Sequence, residues 1–271
     1  MSKRNFDFVA SFGETCACAG LLNNLSLRQE SSPFDWVGFI DFRQRTNLVL
    51  NGFTDFMAKK YLKRLGVNEA NPNKDSYVHT LYGTKIIHDF PSNVPLDKSW
   101  PAINAKYQRR IKRFLNHLRK DKTLLVHIAP EPIPQDLLLQ CITDINKKYT
   151  DKIALLYIEH NPALSMTQTV EKTIGENLFW VQVNNTPTVL TDAFLKLQGN
   201  IPVVSDVICR YALGRTYQEY VTVFLSRKRK ILFGLTRFAT CFCIFTEQRK
   251  DLRRYLFRKI VDWLSWNCKI T

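Results

Sequence analysis

The chain has 271 residues, 45% of them apolar and 18 of them Phe, which excludes a disordered polypeptide and leaves room for a sizeable interior. Its formal charge of +15 is uneven: from Arg210 to Thr271, 14 Lys and Arg stand against 4 Asp and Glu, a balance suited to an acidic partner at the C-terminal end. Seven cysteines, with no CxxC pair and no nearby histidine at structural-zinc spacing, cannot all pair within one molecule and give no ground for expecting a metal or another cofactor.

The opening MSKRNFDFVA has no apolar run of signal-peptide length, so the expected location is the cytoplasm. FDFVASFG predicts a short buried strand ending in a glycine turn, and CACAGLLNNL the helix that follows. Cys16 then stands at a helix N-terminus, where partial positive charge favours thiolate over thiol and makes the sulfur a candidate nucleophile. The plainer reading is that Cys16 and Cys18 pack as small apolar residues. SSPFDWVGF reads as an irregular segment with large aromatics, DFRQRTNLVLN and FTDFMAKKYLKRLGV as helices, the second closed by Gly66, and NEANPNKD as a loop.

SYVHTLY and TKIIHDF, around Gly83, predict a hairpin or adjacent strands. From Trp100 a helix places Tyr107, Ile111, Phe114, Leu115 and Leu118 on one side and basic residues elsewhere. TLLVHIA, KIALLYIEH and NLFWVQVNN read as strands, with PQDLLLQCITDINKKY as a helix after the first. Strands alternating with helices favour parallel pairing with right-handed crossovers. The fold class is therefore α/β: a three-layer core with a mostly parallel sheet over residues 1–205, and a mainly helical basic appendage over 206–271.

In the appendage, Ile231 to Phe245 is apolar but too short for a span of ~20 residues, and Arg237 interrupts it. The next stretch puts Leu252, Leu256, Ile260 and Trp263 on one stripe, with Arg249, Arg253 and Arg254 mostly off it. Such a helix packs on the core or lies on an anionic membrane surface, with Arg249, Arg253, Arg254 and Trp263 as the contacts. No nucleic-acid-binding motif accompanies the charge, which argues against that partner.

SFGETCACA, SSPFDW and IIHDF, followed by the basic RRIKRF helix and the strand LLVHI, resemble the bacterial domain family described as papain-like cysteine peptidases, over roughly residues 6–128. The resemblance implies Cys16 as nucleophile and His88 as its histidine partner, in a setting of bacterial surface-polysaccharide genes. A thiol needs a base within hydrogen-bond reach whose ring is held by a third group. Asp89 is adjacent to His88 and Asp35, in PFDW, competes with it as orienter, although Asp89 also suits a strand-end turn before Pro91. His127 lies in an apolar strand, His160 ends a strand where open sheets place ligand groups, and His79 and His117 read as surface or filler positions.

A second hypothesis starts from the lone Gly13, with Glu14 and Thr15, as a phosphate-binding turn, with Arg109, Arg110, Arg113 and His160 as further donor contacts. That would suit a membrane-surface glycosyltransferase acting on a glycan with a nucleotide sugar; a third reading is a non-enzymatic adaptor. The leading expectation is a cysteine hydrolase or acyl-type transferase.

Overall fold

The computed structural model describes residues 5–38, 40–129, 131–188, 190 and 197–222. Strands β1 (Phe8–Ser11), β6 (Thr123–Ala129), β7 (Ile153–His160), β9 (Leu178–Val183) and β8 (Thr169–Ile174) form a sheet in the order β1-β6-β7-β9-β8. All its pairs are parallel except the closing β8–β9 pair, so the expected α/β core with a mostly parallel sheet is present. A second, antiparallel sheet has the order β2-β5-β4-β3, from β2 (Val37–Gly38), β3 (Leu62–Asn68), β4 (Asn71–His79) and β5 (Lys85–Pro91).

Side chains alternate along the parallel strands, so each strand feeds two cores. Phe8, Ala10, Leu125, Leu155 and Tyr157 join α2 (Phe42–Leu50), α3 (Leu96–Lys120) and α4 (Gln135–Lys148) through Leu48, Phe114, Leu118, Leu138 and Ile142. Val9, Leu124, Val126, Leu156 and Ile158 face α1 (Cys16–Asn24) and α5 (Ile201–Leu213) through Leu21, Leu22, Val204 and Ile208. Each fully buried side chain of this kind contributes on the order of 1.5–3 kcal/mol. This is the expected three-layer arrangement. Helix α5 runs across the expected boundary between residues 205 and 206, and residues 223–271 of the appendage, including Arg249, Arg253, Arg254 and Trp263, lie outside the described residues.

Two expectations are corrected. FTDFMAKKYLKRLGV is not a helix: Gly52, Phe53 and Asp55 adopt positive φ, a short 3-10 turn covers Lys59–Tyr61, and β3 pairs Leu62 with His79 and Arg64 with Tyr77. Phe53, Phe56 and Met57 are inserted into the core, and strand pairing overrides the helical propensity of the Lys- and Leu-rich stretch. Gly66 lies at a register shift in the ladder rather than at a helix end. NEANPNKD is likewise no loop from Asn71 onward but the start of β4. Helix α3 begins at Leu96, before the expected Trp100, and carries Pro101 inside it. Strand β8 was not foreseen; it is exposed or half-buried along its length and carries no apolar alternation to read.

His127, on β6, is enclosed between Phe42 of α2 and Tyr157 of β7, stacked on the latter with ring centroids 5.8 Å apart. Its Nδ1 lies 2.7 Å from the carbonyl of Phe12, the geometry of an N–H donating to that oxygen. Burial pushes the imidazole down from 6.5 to about 4.

Between those two values the unfolded chain takes up a proton that the fold refuses, so stability is complete above 6.5 and falls as the pH drops toward 4. The loss expected from this one residue is about 3 kcal/mol, and chemical denaturation across the window should show a flatter pH dependence for His127→Gln than for the parent chain. Gly13→Ala should independently lower stability by about 1–3 kcal/mol, because a Cβ there would meet the Cβ of Cys18 at 2.8 Å; a melting temperature equal to the parent's would contradict this.

Candidate active site

The site begins where β1 turns into α1. The Gly13 N–H donates to Ser11 Oγ at 3.4 Å, and the Thr15 hydroxyl caps α1 by accepting the Ala17 N–H at 3.3 Å. Cys16 is therefore the first residue of the helix, as its sequence context predicts. The expected thiolate is not favoured, however: burial pushes the half-buried Cys16 thiol up from its ordinary value, and a backbone hydrogen bond offsets only part of this. Cys18 is buried outright, donates its S–H to the Val126 carbonyl at 3.4 Å and is pushed up to about 11. Cys141 and Cys209 are buried as well, which leaves Cys16 as the most accessible of the four described cysteines.

Beside the start of α1 lies a cavity of about 140 Å³ lined by Glu14, Thr15, Ala17, Cys18, Ile128, Ala129, Asn185 and Leu197. It sits at the carboxyl ends of β1, β6 and β9, the edge where open parallel sheets accept ligands. The Glu14 carboxyl is held above its ordinary value mainly by burial; Arg45 opposes this, while Asp41 and Glu131 add to it. Arg45 is fully buried, its guanidinium 5.0 Å from the ring centroid of Phe34 and its Nε donating to the Ile40 carbonyl at 3.0 Å. Burial lowers it to about 10. Of the residues expected to cradle an anion under the second hypothesis, Glu14 and Thr15 line this cavity, and the Glu14 carboxyl brings an acidic group rather than a cation to it.

The arginines of that hypothesis do not converge on Gly13 either. Arg109 is exposed on α3, Arg110 is buried against the Tyr107 ring at 5.0 Å, and Arg113 pairs with Glu30 at 2.6 Å. His160, at the end of β7, accepts the Asn185 N–H on its Nδ1 at 2.9 Å and so borders the cavity through Asn185.

His88, on β5, meets the edge of Trp36 with ring centroids 5.4 Å apart. Burial lowers its basicity, Asp89 raises it and Lys74 lowers it further. No hydrogen bond, ring contact or electrostatic effect joins His88 to Cys16 among the described residues. The two proposed orienters are committed elsewhere, which corrects that expectation. Asp35, fully buried, accepts the Ser32 N–H at 3.0 Å, the Ser32 hydroxyl at 2.6 Å and Arg28 at 3.2 Å. Asp89 accepts from Lys106 and from the Tyr107 hydroxyl, the latter at 2.6 Å. Asp35 thus ties down its own loop and Asp89 ties β5 to α3, and neither accepts a hydrogen bond from an imidazole.

Asn185 is a cavity residue that the sequence reading missed; it is the second residue past β9, and a polar residue just past a parallel strand was the available signal. Among the described residues no cluster of side chains could hold a metal ion, and no helix is long and apolar enough to cross a membrane.

Residues 7–150 match the family model described as "Putative papain-like cysteine peptidase (DUF1796)". An uncharacterized protein of Acanthamoeba polyphaga mimivirus is similar to the chain, with 32% identity over 155 residues that cover 52% of this chain and 69% of the relative. That relative is viral, so it gives no support to the expected bacterial, surface-polysaccharide setting. No solved structure matches the chain. The matched region takes in β1, α1, the PFDW segment and the strands up to β6, more than half of the chain, and the protein belongs to this papain-like cysteine peptidase family.

Proposed function

We propose that the protein is a hydrolase that uses Cys16 as its nucleophile against an acyl-type bond. One observation carries the reading: the most accessible described cysteine is the first residue of a helix that opens at the carboxyl edge of a parallel sheet, beside a cavity. Membership of a papain-like cysteine peptidase family supports it.

The thiol first loses its proton; because burial holds the thiol form, this step favours alkaline solution. The thiolate sulfur then bonds the carbonyl carbon while the C=O electron pair moves onto oxygen. Collapse of that oxyanion expels the leaving group with its electron pair and leaves an acyl-thioester on Cys16. Water cleaves the thioester, releasing the acid and returning the thiol. His88, implied as the base by the family resemblance, packs on Trp36 at rest, so in this reading the thiol proton leaves to solvent base.

Two reagents test the proposal. Iodoacetamide on the native protein should alkylate Cys16 ahead of Cys18, Cys141 and Cys209, with a rate that keeps rising as the pH passes above the ordinary thiol range. p-Nitrophenyl acetate should leave an acetyl group on Cys16 that mass spectrometry of peptides locates and that Cys16→Ala abolishes. Acetylation that persists undiminished in Cys16→Ala, or a Cys16 as inert as Cys18, overturns the reading.

A further inference from the structure

At the amino ends of the parallel strands, the edge opposite Cys16, lies a second cavity, of about 270 Å³. Phe6, Ala154 and Phe179 give it apolar walls. Phe6 and Ala154 are buried, and Phe179 is held by the Tyr211 ring of α5 with centroids 4.8 Å apart. Around these walls stand Lys122, Lys152, Asp151 and Glu176, all four exposed.

Backbone hydrogen bonds tie its walls together. The Asp7 N–H donates to the Lys122 carbonyl at 2.8 Å, the Thr123 N–H to the Lys152 carbonyl at 3.1 Å and the Leu155 N–H to the Asn177 carbonyl at 2.7 Å. The Asn177 side-chain amide, which also lines the cavity, donates to the Asp151 carbonyl at 3.3 Å. Four chain segments are thus stitched into one rim before any ligand arrives, which lowers the ordering cost of binding.

Two cations and two anions share this rim, yet among the described residues no ion pair joins them to one another. The Lys122 ammonium lies instead 4.9 Å from the ring centroid of Phe6. Charges of both signs, left unneutralised around aromatic walls, match a molecule that carries both signs and a ring. The volume sets its size: pockets for drug-sized ligands span ~300–1,000 Å³, so 270 Å³ takes something smaller. We propose that this cavity binds a free aromatic amino acid, its carboxylate facing Lys122 and Lys152, its ammonium facing Asp151 and Glu176, and its ring against Phe6 and Phe179. The site shares no lining residue with the cavity beside Cys16 and does not depend on Cys16 being a nucleophile.

Titration calorimetry with L-phenylalanine should give one saturable site on the full chain. 3-Phenylpropanoate, which lacks the ammonium, and 2-phenylethylamine, which lacks the carboxylate, should each bind about five-fold more weakly, the weight of an exposed ion pair. Alanine, which lacks the ring, should bind more weakly by over about ten-fold. The four charged side chains are exposed, so replacing them leaves the core intact. Lys122→Gln with Lys152→Gln should weaken phenylalanine and 3-phenylpropanoate while sparing 2-phenylethylamine, and Asp151→Asn with Glu176→Gln should weaken phenylalanine and 2-phenylethylamine while sparing 3-phenylpropanoate. Cys16→Ala should bind phenylalanine as the parent does. No binding at millimolar phenylalanine, equal affinity for phenylalanine and alanine, or affinities untouched in both double variants overturns the inference. Loss of binding in Cys16→Ala puts the ligand in the other cavity and overturns it as well.

Discussion

The turn from β1 into α1 has no room for a side chain at Gly13, whose Cβ position is pressed against the Cβ of Cys18. That close approach fixes the angle at which the helix leaves the sheet, and the placing of the site follows from it. Thr15 falls where its hydroxyl caps the first turn, Cys16 becomes the leading helical residue, and the Cys18 sulfur is brought down onto the Val126 carbonyl. The next segment is secured in a different way. Asp35 gathers Ser32 and Arg28 around one buried carboxylate and so holds Phe34 and Trp36 in the position from which β2 can join β5. A packing constraint and a hydrogen-bonded clip thus fix consecutive stretches of chain.

At the start of α1 and in the core behind it, burial disfavours the charged form of five groups. It raises the thiols of Cys16 and Cys18 and the carboxyl of Glu14, and it lowers His127 and Arg45. At Cys16 this opposes the helix N-terminus, whose favourable effect on an anion is typically 0.3–1 kcal/mol at exposed positions. Desolvation wins there because the sulfur is partly enclosed, not because the helix end is missing. An edge that resists charge at rest gives fixed dipoles their largest effect when charge develops.

Much of this architecture could be read from the chain. The parallel strands are short, nearly unbroken apolar runs such as TLLVHIA and KIALLYIEH, and buried parallel strands leave that signature because helices cover both faces. The glycine turn and the run of helix formers after it marked the start of α1. What could not be read depended on tertiary pairing. KKYLKRLGV carries helix-forming residues, yet an available partner strand and left-handed turns at Gly52, Phe53 and Asp55 direct it into a ladder. For the site, Cys16 was legible because helix starts have local signals. The commitments of Asp35 and Asp89 were not, since Tyr107 and Lys106 lie a full helix turn or more beyond β5 and nothing local announces the pairing. The role of Asn185 as a cavity wall likewise exists only once β9 lies beside β7.

The order of strands in the parallel sheet bears on how the molecule is made. Strand β1 has a single neighbour, β6, and pairs Phe8 with Thr123. On a ribosome the segment that carries Cys16 emerges before β6 and has no ladder to join until more than a hundred further residues have been synthesised. Closing so long a loop is entropically slow, and the antiparallel hairpin of β4 and β5 has only neighbouring chain to find. The Cys16 thiol therefore docks late in folding, so the site is assembled only after the frame around it exists.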